Sequence, residues 1–75
     1  MSPRYPRLTG KEILRTLQRM GIEVVRQRGS HVIVKSSEGK VSVIPIHAGE
    51  IIEPGLLKSI LRDLDITLDE FLKHL

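Results

Sequence analysis

The 75 residues are enough for one small domain with a modest core, and leave no room for a separate cofactor-binding unit. Hydrophobic residues at 40% and charged residues at 28% are those of an ordinary globular chain, and no apolar run approaches the ~20 residues that cross a bilayer. With no cysteine in the chain, disulfide, zinc-thiolate and thiol-nucleophile chemistry is closed. The net charge of +3 is unevenly divided: residues 1–47 hold nine Lys/Arg against three acids, net +6, and residues 48–75 hold three against six, net −3. A basic half of this kind concentrates polyanions around whatever it surrounds.

In chain order, Met1-Ser2-Pro3-Arg4-Tyr5-Pro6-Arg7 has a positive start but no apolar stretch of the kind a secretory signal needs. A cytoplasmic chain is expected, with residues 1–7 as a flexible N-terminal segment ahead of a single domain over 8–75. Thr9-Gly10-Lys11-Glu12 is a capping box in which Thr9 and Glu12 satisfy each other's orphan amides, with Leu8 and Ile13 placed as a hydrophobic staple. Ile13, Leu14, Leu17 and Met20 then follow helical spacing, and Gly21 supplies a left-handed stop. Three strands follow, Ile22 to Arg28, His31 to Lys35 and Val41 to Ile46, separated by Gly29-Ser30 and by Ser36 to Lys40. Pro45 cannot donate to a ladder, which suits the end or edge of a sheet. Pro54 opens a second helix whose stripe is Leu57, Ile60, Leu61 and Leu64, and Thr67-Leu68-Asp69-Glu70 repeats the capping box to open a short third helix. The predicted class is α+β, with both long helices covering one face of an antiparallel meander and the other face open.

Register places the candidate site residues. Glycine first in a two-residue loop signals a type II′ hairpin, so Gly29-Ser30 pairs Arg28 with His31, Gln27 with Val32, Arg26 with Ile33 and Val25 with Val34. Val25, Val32 and Val34 then share the core face with Gln27, and Arg26, Arg28, His31 and Lys35 share the open one. A three-residue loop would instead set Arg26 on the face of Val32, a mixed pattern. In the second hairpin His31 opposes Pro45, Ile46 or His47. The first and last of these registers put His47 on the face of His31 and send Ile44 and Ile46 to the core, and the middle one turns His47 inward.

An imidazole at a hairpin mouth, on a strand with no packing need for it and flanked by arginines, suits acid–base chemistry on a phosphate. Among the other polar residues, His74 complements the dipole at a helix C-terminus. Glu50 and Glu53 read as acids ahead of a helix N-terminus, and two histidines without cysteine make a poor metal site, so no metal or cofactor is expected. Tyr5 and Phe71 are the chain's aromatics, so any nucleic-acid contacts should be made largely to the backbone, salt-sensitive and weakly sequence-selective.

Four segments in order, Gly21-Ile22, Arg26-Gln27-Arg28-Gly29-Ser30-His31, Val43-Ile44-Pro45-Ile46-His47 and Glu53-Pro54-Gly55-Leu56-Leu57-Lys58-Ser59-Ile60-Leu61, resemble the HicA toxins, also called the YcfA-like family. The resemblance runs over roughly residues 8–72. It implies a double-stranded-RNA-binding-domain-like fold, a ribosome-independent mRNA interferase activity in a type II toxin–antitoxin system, a catalytic histidine at His31, and a HicB antitoxin that covers the active site. Ile22 stands where many members carry an aromatic, and the Pro/Arg-rich start is not a family hallmark.

On this reading the substrate is mRNA and the enzyme an endoribonuclease. His31 is its general base, Arg26, Arg28 and Lys35 with Gly29 and Ser30 are its RNA contacts, and His47 is a catalytic or phosphate-contacting residue. The alternative from another class is a non-catalytic RNA-binding module using the same open face. A third is an interaction domain whose partner covers an exposed apolar residue such as Ile33.

Overall fold

The computed structural model describes residues 4–75, so residues 1–3 of the N-terminal segment lie outside the described residues. Its elements are α1 (Gly10–Arg19), β1 (Glu23–Arg28), β2 (His31–Lys35), β3 (Val41–Pro45), α2 (Pro54–Asp63) and α3 (Leu68–Lys73), and the sheet is antiparallel in the order β1-β2-β3. This is the α+β, double-stranded-RNA-binding-domain-like arrangement expected from the sequence.

Both capping boxes form. The Glu12 amide donates to the Thr9 hydroxyl at 3.3 Å and the Glu12 carboxylate accepts from the Thr9 amide at 2.9 Å; Thr67 and Glu70 repeat the arrangement on α3. The Thr9 amide and then its hydroxyl hold the Glu12 carboxyl below the ordinary carboxylate value. Ile13 and Leu17 of α1 are buried against Val32, Val34 and Ile44 of the sheet and against Leu57, Ile60, Leu61 and Leu64 from α2 and its C-cap, with Phe71 of α3 closing the core. Two links fix the helix layer to the sheet and termini: the Ser42 hydroxyl donates to Asp63 at 2.9 Å, and Arg19 donates to the His74 carbonyl at 2.8 Å. His74 caps α3, with its ring Nδ1 2.8 Å from the Glu70 carbonyl, and lies in the helix layer as expected.

One close approach aligns α1 with β3. A Cβ on Gly10 would overlap the carbonyl oxygen of Pro45, so only glycine lets the first turn of α1 sit on the end of β3. After β3 the chain turns over His47 to Glu50, with Gly49 at φ +72, and returns to the segment preceding α1. There Thr9 bridges Ile51, and the Ile52 amide donates to the Leu8 carbonyl at 2.8 Å.

The first hairpin holds one departure from the predicted register. Arg28 pairs with His31, Gln27 with Val32 and Arg26 with Ile33 as expected, but a bulge at Val25 brings Val24, not Val25, opposite Val34. The extra residue turns Val25 out of the core to 58% exposure. Gln27 is exposed too: β1 is an edge strand exposed along its length, and the Gln27 carboxamide donates to the Gly29 carbonyl at 3.0 Å instead of packing inward. Strand β1 begins at Glu23 and β3 ends at Pro45, one residue inside the predicted limits.

Candidate nucleic-acid interface

The open face of the sheet consists of three cross-strand rows. Arg28, His31 and Pro45 form the first, Arg26, Ile33 and Val43 the second, and Glu23, Lys35 and Val41 the third. The tight turn is what aims them. Gly29 sits at φ +56 while Ser30 keeps a negative φ, as a II′ turn requires, and the pairing of Arg28 with His31 follows directly from it. Arg26, Arg28, His31 and Lys35 therefore share one face as the sequence predicts, interleaved with the apolar side chains of Ile33, Val41 and Val43.

The second hairpin adopts the register that sets Pro45 opposite His31. His47, two residues beyond Pro45, comes beside His31, and the two rings meet edge to face with centroids 6.3 Å apart and planes at 83°. Both rings are exposed. Two imidazoles so placed can each come within about 3 Å of different oxygens of one phosphodiester.

Ser30 holds this pair together. Its carbonyl accepts the Ile46 amide at 2.7 Å, and its hydroxyl lies 3.4 Å from His47 Nε2. The residue that shapes the turn thus also fastens the exit of β3, and a loop serine gives no sequence signal of such a contact. Gly10 is a second positioning residue hidden from sequence reading, because its contact with Pro45 joins segments far apart in the chain.

Beside His47 opens a cavity of about 290 Å³ lined by Pro45, Glu50, Ile51, Ile52, Glu53 and Leu56 together with His47 itself. The sequence gives no sign of it, since the turn after β3 and the start of α2 come together only in the fold. Among the described residues no three His, Cys, Asp or Glu side chains gather as a metal site, and no helix is long and apolar enough to cross a membrane.

Compared with known proteins, residues 10–66 match the family model described as HicA toxin of bacterial toxin-antitoxin, a span of more than half the chain. No curated protein matches it.

Proposed function

Because the chain belongs to the HicA toxin family of bacterial toxin–antitoxin systems, with an antitoxin as its partner, we propose that it is an endoribonuclease that cleaves mRNA without a metal or the ribosome. RNA carries its own nucleophile. His31 takes the proton of a 2′-hydroxyl, the freed oxygen attacks the adjacent phosphorus, and the bond from phosphorus to the 5′-oxygen breaks. His47 returns a proton to that leaving oxygen, giving a 2′,3′-cyclic phosphate and a 5′-hydroxyl. An imidazole has an ordinary pKa of about 6.5 and can serve in either role near neutrality, each worth about 10² to 10⁴ in rate. Arg26, Arg28 and Lys35 offset the charge that builds on the phosphoryl oxygens. A HicB-type antitoxin covering this face would silence the enzyme in the cytoplasm.

The observation that carries this reading is the edge-to-face contact of His31 with His47 at the basic end of the open sheet. A labelled mRNA treated with purified protein in EDTA tests it. The wild-type chain is expected to cut, and His31→Ala, folded by circular dichroism, is expected to bind the RNA and leave it intact. In cells, induction of the wild-type chain should arrest growth and His31→Ala should not. Loss of cutting in EDTA, or an active His31→Ala, overturns the proposal. RNA binding by the wild-type chain with no cleavage under any condition favours the non-catalytic RNA-binding module.

A further inference from the structure

The cavity beside His47 differs in chemistry from the basic open face of the sheet. Its wall is aliphatic, with Ile51 at 42% and Leu56 at 40% exposure presenting bare apolar surface next to Pro45. Its volume of about 290 Å³ lies at the small end of ligand sites, enough for one planar ring system and too little for a longer stretch of RNA. Glu50 and Glu53, both exposed, complete its lining. Glu53 is the N-cap of α2 yet makes no capping hydrogen bond, so its oxygens are not committed to the helix. Carboxylates accept hydrogen bonds and do not donate them, and they repel phosphate, so the RNA backbone belongs on the arginine side of His31 and something rich in N–H groups on this side of His47.

We propose that this cavity takes the nucleobase adjoining the scissile phosphate and that Glu50 and Glu53 make it selective for guanine; the inference rests on the ribonuclease reading above. Guanine offers adjacent N1–H and N2–H donors to a carboxylate, whereas uracil offers a single N3–H between two carbonyl oxygens that a carboxylate repels. Adenine and cytosine, each with one exocyclic amino group, fall between them. Single-stranded RNA is read in this way, by bases turned out of the stack with their hydrogen-bonding edges against protein. The aliphatic wall of Pro45, Ile51 and Leu56 serves the base face in a chain that has no aromatic side chain at this site.

The test is a set of short RNAs identical except for the bases on either side of one cleavable linkage, with rate and position of cutting read on a gel. The wild-type chain should cut the guanine-flanked linkage about tenfold faster than its uracil counterpart, in the range a good base contact discriminates. Glu50→Gln/Glu53→Gln, two exposed and conservative changes whose fold is checked by thermal melting, should narrow that ratio to within about twofold. Guanine preference that persists in the double variant, or a wild-type chain that cuts all four sets alike, overturns the base site and leaves the ribonuclease intact. A wild-type chain that cuts none of the RNAs overturns the ribonuclease reading, and the base site with it.

Discussion

His47 illustrates how little separates a phosphate contact from a proton donor. Its ring meets His31 edge to face and its Nε2 lies 3.4 Å from the Ser30 hydroxyl, a geometry that serves either role. Leaving-group chemistry separates the two. If His47 protonates the departing 5′-oxygen, a leaving group that needs no proton makes it dispensable. His47→Gln should then cut RNA at least about 100-fold more slowly than the wild-type chain, within the range of general acid catalysis. A nucleoside 3′-phosphate ester of p-nitrophenol should be cleaved by both at nearly the same rate, and His31→Ala should fail with both substrates. An equal loss on RNA and on the nitrophenyl ester would make His47 a phosphate contact. On the same proposal Ser30 would act indirectly, as a positioning residue, since its carbonyl accepts the Ile46 amide and its hydroxyl faces the His47 ring.

Among the elements, the first turn of α1 is seated directly on the end of β3. Gly10 is the first residue of α1, directly after the Thr9 cap, outside the helix interior where alanine is favoured over glycine by about 1 kcal/mol. In Gly10→Ala the new Cβ meets the Pro45 carbonyl, which is backbone and cannot swing aside, so the net effect expected in urea unfolding is a loss of about 1–3 kcal/mol. A stability gain would show that the end of β3 can yield. Most elements were legible because their signals are local: two capping boxes, the Gly29-Ser30 turn and the apolar stripe of α2 each lie within a few residues and survive into the fold. The common face of Arg26, Arg28, His31 and Lys35 was legible for the same reason, since a tight turn dictates register. Val25 was not. A bulge adds one residue to a strand without leaving a mark on the alternation, and it set Val24 opposite Val34 in place of Val25, with both exposed. The contact of Gly10 with Pro45 and the cavity next to His47 were hidden because each depends on segments joined only by packing.

At the scale of the whole molecule, charge that is asymmetric along the chain becomes divided between layers. Of the nine basic residues of the first half, Arg26, Arg28 and Lys35 lie on the open sheet face, Lys11 and Arg15 line a groove between α1 and β1 with Val24 and Gln27, and Arg19 donates to the His74 carbonyl. Lys58 and Arg62 are exposed on α2, in the helix layer. If RNA lies across the open face, its affinity should depend on salt through the residues of that face. Each phosphate neutralised on a single strand contributes about 0.7 to the slope of log affinity against log salt. In the inactive His31→Ala background, adding Arg26→Gln and Arg28→Gln should therefore lower the slope for a short single-stranded RNA by about 1.4. Lys58→Gln with Arg62→Gln removes the same charge from the helix layer and should leave the slope unchanged. Equal effects from the two pairs would mean that the RNA responds to the net charge of the protein, and the open face would lose its claim to be the docking surface. A drop confined to Arg26 and Arg28 would place the phosphates beside His31, where the chemistry requires them.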